Sequence, residues 1–359
     1  MNALTTRFHS LRVTALRRET PSSISLTLAV PEELQESFRF TPGQYLTLRT
    51  VLEGEEVRRS YSLCCAPSEG VLRIGIKAVE GGRFSHWANT SLAVGDSIEV
   101  MPPEGRFGLR PDPARVRAIL AIAAGSGITP VLSILGALLE QEPGSRAVLL
   151  YGNRSSGDIM FREALDDLKD RHLGRLSVVH VLSRERQELE ALHGRLDGAR
   201  IAALLPALLR PEEIDTAFLC GPDGMTEEAA TALAAYGVPA ARIQRERFTP
   251  AAGTTPRRAA PAVEATPAAL AEITVGGITR AVPVARGETI LEAGLRAGLD
   301  LPWSCRGGMC CTCRCKVTEG SAAMEVNYSL EPDEVAAGFV LSCQARPEGE
   351  KIIVDYDCL

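Results

Sequence analysis

Ten cysteines are spread unevenly over 359 residues, and six of them fall between Cys305 and Cys343. The cluster reads Cys305-Arg-Gly-Gly-Met-Cys310-Cys-Thr-Cys313, and Cys343 follows in FVLSCQARP. A C-x4-C-x2-C run with a distant fourth cysteine is the plant-type spacing for a [2Fe–2S] cluster. Thiolates are soft, anionic ligands that suit iron. Gly307 and Gly308 let a loop wrap closely and turn backbone N–H groups toward sulfur. A structural zinc site, the main alternative, usually shows two paired C-x2-C knuckles. This sequence has one, so Cys305, Cys310, Cys313 and Cys343 are expected as iron ligands. Cys311 and Cys315 exceed the ligand count and are expected to pack or to touch the ligand loop. Cys358 reads as an incidental thiol near the tail, and Trp303 as a packing residue.

A second group of residues lies near the N-terminus. Arg59-Ser60-Tyr61-Ser62 ends a strand-like run, and IGIKAVEGGRFSHW follows, bringing Ile76, Lys77, Gly81, Gly82 and Ser85. An arginine can pair with a pyrophosphate. A tyrosine face can stack on a flat heteroaromatic ring. The Gly-Gly-Arg-Phe-Ser turn opens a helix whose first N–H groups are free to hold phosphate. An ordinary turn and cap would look similar. Cys64 and Cys65 read as small packing residues, and His86 as structural.

The third group is Gly125-Ser126-Gly127-Ile128-Thr129-Pro130, which follows the apolar run AILAIAA and opens a helix. Such a turn is a dinucleotide-binding element when a strand precedes it and a helix follows. Thr129 is expected as the N-cap and Pro130 as the first helical residue. An NAD-binding fold usually places an acid about 20 residues on, at the ribose. Here the next strand ends in Asn153-Arg154 and the one after in Ser183-Arg184. Arg154, Ser183 and Arg184 favour a 2′-phosphate, hence NADPH over NADH. Cys220-Gly221-Pro222, with Met225 just beyond, ends a further strand.

These residues need three different scaffolds. Residues 8–111 carry six short alternating runs bounded by turns, the pattern of an antiparallel β-barrel. Residues 112–248 alternate four apolar strands (RAILAIAA, RAVLLYG, LSVVHVLS, TAFLCG) with helical stretches, the pattern of a doubly wound parallel α/β sheet. Residues 249–268 are rich in Pro, Ala and Thr without apolar periodicity and read as a linker. Its length and composition favour a mobile C-terminal module. Residues 269–359 begin with a hairpin turning at Gly276-Gly277, continue through a helix, and hold the cysteines. This is an α+β module of β-grasp type.

Arg59–Ser62 resembles the R-x-Y-S flavin signature of the ferredoxin–NADP reductase superfamily. Gly81, Gly82 and Ser85 resemble its phosphate-binding turn, and Gly125 to Pro130 its G-x-G-x-x-P loop. The pairing implies FAD rather than FMN. Ser60, Tyr61 and Ser62 are then expected at the flavin, with Ile76 and Lys77 nearby. Cys220, Gly221, Pro222 and Met225 resemble its C-G-P element, which implies Cys220 beside the nicotinamide. Phe248 resembles the aromatic that covers the flavin. Tyr61, Ser62 and Cys220 are the expected catalytic residues. The module order resembles reductase components of bacterial multicomponent oxygenases. RRSYSLC, YGNRSSGDIMFREAL, HVLSRE followed by HGRLD, NYSLEPDEVAAGFVLSCQARP and IIVDYD look most like the family serving phenylacetyl-CoA-type diiron epoxidases in phenylacetate degradation. Reductases of ring-hydroxylating or steroid-hydroxylating oxygenases, or of hybrid-cluster proteins, are the alternatives. A redox-sensing module without hydride chemistry is a more distant one.

The expected electron sequence is NADPH to FAD to the [2Fe–2S] cluster to an external acceptor. The cofactors carry the redox chemistry and the protein supplies position and electrostatics. A net charge of −6 argues against nucleic acid as a partner. From Leu270 onward there are 8 basic and 13 acidic residues. That acidity is either a solvated face or a docking surface for a basic redox partner. No apolar run is long enough to span a bilayer. MNALTTRFHS carries no apolar core of a signal peptide. The cytoplasm is the expected location.

Overall fold

The computed structural model describes residues 8–248 and 268–358. The expected linker therefore lies, apart from Ala268, outside the described residues. Contacts divide the chain into two compact units, one holding most of the first two modules and the other the C-terminal module. Each is taken by itself.

The first module has strands β1 (His9–Thr20), β2 (Ser23–Ala29), β3 (Tyr45–Leu52), β4 (Glu55–Ser62) and β5 (Leu72–Lys77). Helix α1 (Arg83–Thr90) and strand β6 (Ser97–Val100) follow. Alternation with a period of two puts Ile24, Leu26 and Leu28 of β2 in one buried core with Leu72, Ile74 and Ile76 of β5. The strand order is β4-β3-β6-β1-β2-β5. An antiparallel bridge from Leu63 to Ile74 joins the two ends and closes the sheet into the expected barrel.

The second module follows as β7 (Ala118–Ala124), α2 (Ile128–Gln141), β8 (Arg146–Asn153), α3 (Arg162–Arg171) and β9 (Leu176–Leu182). It continues through α4 (Gly198–Leu204), β10 (Ile214–Gly221), α5 (Asp223–Tyr236) and β11 (Ile243–Arg247). The five strands are parallel, in the order β11-β10-β7-β8-β9. Strand order reverses between β7 and β10, and ligands of such sheets bind at the carboxyl ends there. The strands buried on both faces are the apolar runs seen in the sequence. β11 is an addition: its sequence, IQRER, has no apolar run because it is an edge strand.

The C-terminal module comprises β12 (Ala269–Val275), β13 (Ile278–Val284), α6 (Ile290–Arg296), β14 (Arg314–Glu319) and β15 (Ala322–Met324). It ends with α7 (Pro332–Ala336), β16 (Phe339–Leu341), β17 (Ala345–Pro347) and β18 (Lys351–Asp355). The β12–β13 hairpin turns at Gly276 and Gly277, with φ of 60° and 73°. Two positive φ values in a two-residue loop match strand twist, and glycine adopts them without strain. The Asp357 carboxylate accepts from both glycine amides. Helix α6 starts at an N-cap, Thr289, that forms a capping box with Glu292. It packs on a mixed sheet in the order β13-β12-β18-β14-β16. Cys315 lies in this core, fully buried.

Candidate functional site

In the C-terminal unit the loop between α6 and β14 gathers the first three cysteines of the motif, and the β16–β17 turn brings in Cys343. The thiols meet in two pairs, Cys305 with Cys310 and Cys313 with Cys343. Among the described residues no three potential ligands converge on the place of a single ion. Two pairs of thiolates suit a two-iron cluster, in which each iron takes two cysteines, better than one zinc ion. The loop is shaped for sulfur contacts. Gly307 N–H points to Cys305 Sγ at 3.3 Å, and Cys305 N–H to Cys310 Sγ at 3.5 Å. Gly308 has φ 75°, and a Cβ there would crowd Val326 at 3.1 Å. Cys311 also has positive φ, and its thiol donates to Ser329 Oγ at 3.0 Å. The donor set fits a [2Fe–2S] cluster.

In the other unit, β4 carries Tyr61 and Ser62 beside α1. Tyr61 packs against Phe84 with ring centroids 5.6 Å apart. Arg59, at the same strand end, is exposed, and its guanidinium donates to the Arg58 carbonyl. Gly81 has φ 69°, and a Cβ on Gly82 would meet Ser85 Oγ at 2.5 Å. Ser85 Oγ accepts from Val79 N–H and donates to Gly82 O, so its hydroxyl holds the turn. The first-turn backbone amides of α1 are the groups left for an anion. This glycine cradle fits a phosphate of a dinucleotide flavin.

Ile76 is buried at the end of β5, and Lys77 follows it half-buried. A Cβ on Gly125 would lie 3.4 Å from Lys77 Nζ, so the ammonium sits over the glycine loop. Burial, and then the Arg154 guanidinium, hold Lys77 below the usual lysine range. A cation thus sits over the glycine loop, an arrangement that fits the phosphates of a nucleotide.

The loop itself differs from the expectation. Gly125–Gly127 form a 3-10 turn and α2 begins at Ile128. Thr129 is therefore inside the helix, donating to Ser126 O at 2.9 Å instead of capping. Pro130 stands in the first turn, where its missing N–H breaks no intrahelical bond. The turn continues directly into the helix, so no separate cap residue is needed. Tyr151, fully buried, donates its hydroxyl to Gly125 O at 2.9 Å and anchors the turn. Gly127 approaches β10 so closely that a Cβ would lie 2.1 Å from Cys220 O.

Arg154 and Arg184 are exposed at the ends of β8 and β9, and Arg184 N–H donates to Arg154 O. Ser183, half-buried beside them, donates its N–H to Asn153 O. Glu185, the acid next to them, accepts from both Ser156 N–H and Oγ, which keeps its carboxylate in the Ser155–Asp158 turn. Pro222 is at the N-cap of α5, and the Met225 side chain lies against Gly221. Phe248, just past β11, is 38% exposed.

The centre of this unit holds a residue that none of the sequence motifs contains. Glu246 on β11 pairs in register with Cys220 on β10. Its Oε2 accepts from Ser62 Oγ at 3.4 Å and lies 4.0 Å from Cys220 Sγ. Enclosure pushes the carboxyl up to about 8, with Ser62 pulling the other way. Burial and Glu246 also raise the Cys220 thiol well above its ordinary range. The result is a neutral thiol beside a carboxyl that exchanges a proton near neutral pH. It spans the last residue of the flavin-type strand and the carboxyl ends of two nucleotide-module strands.

Three family models match the chain: an oxidoreductase FAD-binding domain over residues 10–108, an oxidoreductase NAD-binding domain over 121–231, and a 2Fe-2S iron-sulfur cluster binding domain over 273–348. The chain belongs to the ferredoxin–NADP reductase superfamily, in the branch with a plant-type [2Fe–2S] domain, and is an NAD(P)H-dependent oxidoreductase. Over 353 residues, 98% of both chains, it is 47% identical to a subunit of the 1,2-phenylacetyl-CoA epoxidase of Escherichia coli (strain K12). It is 34% identical to the 3-ketosteroid-9-alpha-monooxygenase ferredoxin reductase component of Rhodococcus rhodochrous, over 96% of both. The fold of phthalate dioxygenase reductase is similar, with a TM-score of 0.59, 23% identity, and coverage of 97% of this chain and 98% of that one. No helix among the described residues is long and apolar enough to cross a membrane.

Proposed function

We propose that this chain takes reducing equivalents from NADPH and delivers them singly to the oxygenase component of a phenylacetyl-CoA 1,2-epoxidase in phenylacetate degradation. The observation that carries the reading is the 47% identity to an epoxidase subunit across all three modules. The modules would run 8–111, 112–248 and 269–359, with 249–268 as linker, in the cytoplasm. FAD, when bound, supplies the change from a two-electron hydride donor to one-electron acceptors.

The chain's own residues do the holding. Arg59 and the amides after Gly81 and Gly82 would take the pyrophosphate of FAD, with Ser60, Tyr61, Ser62 and Ile76 at the ring and Phe248 covering it. Gly125, Gly127, Thr129, Pro130 and Lys77 would shape the nucleotide phosphate site. Arg154, Ser183 and Arg184 favour NADPH, because both arginines are exposed there while Glu185 is held by Ser156. Cys220, Gly221, Pro222 and Met225 would border the nicotinamide. Glu246 would exchange a proton beside Ser62 and Cys220, with its Oε2 accepting from the Ser62 hydroxyl. Cys305, Cys310, Cys313 and Cys343 would ligate the iron.

Reconstitution tests the proposal. The purified chain, NADPH and the epoxidase oxygenase component should consume NADPH in step with epoxide formation. The reading fails if that oxygenase stays inert while a steroid-hydroxylating or ring-hydroxylating oxygenase, or a hybrid-cluster protein, is reduced. The steroid alternative has its own support in the full-length 34% match.

A further inference from the structure

Beside the four cysteines lies a buried side chain that is not a ligand. Gln344 is 6% exposed and follows Cys343 directly. Its Nε2 donates to the Arg306 carbonyl at 2.9 Å and lies 3.6 Å from Cys343 Sγ. A primary amide has two N–H donors, so one side chain can serve both partners. It therefore ties the remote cysteine to the loop that carries the other three.

The tie reaches a second sulfur through the backbone. The Arg306 C=O and the Gly307 N–H belong to one planar trans peptide and point in opposite directions. Gripping the carbonyl oxygen on one side fixes where the N–H points on the other. That N–H meets Cys305 Sγ at 3.3 Å. The peptide needs fixing, because Arg306 has φ 52°, a left-handed conformation that a side-chain-bearing residue adopts at a cost. The Gln344 Cγ also packs 3.4 Å from where a Cβ on Gly308 would be, so the side chain walls the loop as well. Cys343 and Cys305 belong to different thiol pairs. One glutamine thus places hydrogen bonds on sulfurs of both.

We propose that Gln344 is a positioning residue that sets the reduction potential of the [2Fe–2S] cluster, by donating to Cys343 Sγ and by aiming the Gly307 amide at Cys305 Sγ. This rests on the reading of the four cysteines as iron ligands. Hydrogen bonds to the sulfurs favour the more negative, reduced state, so they raise the potential. Removing them should lower it.

The test is a potentiometric EPR titration of the full-length holoprotein and its Gln344→Met variant, with iron and acid-labile sulfide measured on both. The variant is expected to keep its cluster and its NADPH-driven flavin reduction, to shift its EPR signal, and to be reduced about tenfold less favourably, about 59 mV for a one-electron couple. An iron-replete variant with an unchanged potential overturns the proposal. If Gln344→Met loses iron, Gln344→Leu, also uncharged and without the amide donors, is titrated in the same way and must show the lowered potential. If neither variant holds iron, the residue serves assembly alone and the proposal falls. A wild-type protein without a [2Fe–2S] cluster would instead refute the underlying assignment of the four cysteines.

Discussion

The Ser62 hydroxyl donates to Glu246 Oε2 at 3.4 Å, joining residues 184 positions apart in the chain. Ser62 ends the flavin-type strand and Glu246 lies on the edge strand of the nucleotide sheet, in register with Cys220. A carboxyl raised to about 8 between these partners could exchange a proton at the crossing of the two modules. Glu246→Gln keeps the shape and removes the proton exchange. Flavin reduction by NADPH, followed by rapid-mixing absorbance, should slow by about 10²-fold, within the range of general acid–base effects. The variant should also lose the pH dependence of that step around pH 8. An unchanged rate and pH profile would remove Glu246 from the site.

The same carboxyl makes a stability prediction. Its folded value is raised from 4.5 to about 8, so the folded chain holds a proton that the unfolded chain releases. Stability from this group is fully present below about pH 4.5 and falls as pH rises toward 8. The slope is at most about 1.4 kcal/mol per pH unit. Thermal unfolding of wild type and Glu246→Gln from pH 5 to 8 should show the wild type losing ground steadily. Parallel curves would mean that the carboxyl is ionised in the fold.

Much of this site is legible in the sequence, and Glu246 shows where legibility ends. The cysteines, the Arg59–Ser62 run and the Gly125–Pro130 loop are local patterns with their chemistry in adjacent residues. Glu246 sits in IQRER, a short charged segment with no apolar pattern to mark it, because an edge strand needs no continuous apolar run. Its meaning comes from register alone, which pairs it with Cys220. Gln344 is similar: its role comes from a carbonyl 38 residues away. Thr129 failed as an expected cap because a 3-10 turn before it carries the chain straight into the helix. Local pattern shows which residues can act, and strand pairing decides which of them meet.

Substitution separates the cysteines expected as ligands from their neighbours. Cys310→Ser should bring iron and labile sulfide from about two of each per chain to near none, while FAD content and NADPH-driven reduction of an artificial one-electron acceptor persist. Cys311→Ser should keep the cluster, since Cys311 contacts Ser329 and belongs to neither thiol pair. Cys315→Ser should also keep it, with some loss of stability from a hydroxyl placed in a fully buried core position. Loss of iron in Cys311→Ser would reassign the ligands.

On the proposed reading nucleotide choice would rest on Arg154 and Arg184, exposed at neighbouring strand ends. Arg184→Ala should raise KM for NADPH by about tenfold or more and leave KM for NADH within a factor of about two, because the lost contact is to a 2′-phosphate. The double variant with Arg154→Ala should weaken both, since Arg154 also lies near Lys77 at the glycine loop. Equal effects of Arg184→Ala on the two nucleotides would point to NADH as the physiological donor.

Gly127 offers the sharpest steric test. Its φ is ordinary, so backbone strain is not at issue, but an added Cβ would lie 2.1 Å from Cys220 O and 2.8 Å from Gly221 N. Both contacts are with backbone, which cannot rotate away as a side chain can. Gly127→Ala must push the turn off β10, at the strand reversal where the nucleotide would bind. A destabilisation of about 1–3 kcal/mol is expected from such overpacking. Nucleotide affinity should fall more than flavin content, because the displaced turn belongs to the nucleotide module. Gly81→Ala is the contrast. It strains a left-handed residue with open space around its Cβ, so any loss there should appear in FAD retention and leave nucleotide affinity unchanged. If both variants lose FAD and nucleotide affinity in equal proportion, the two glycine turns do not serve separate ligands.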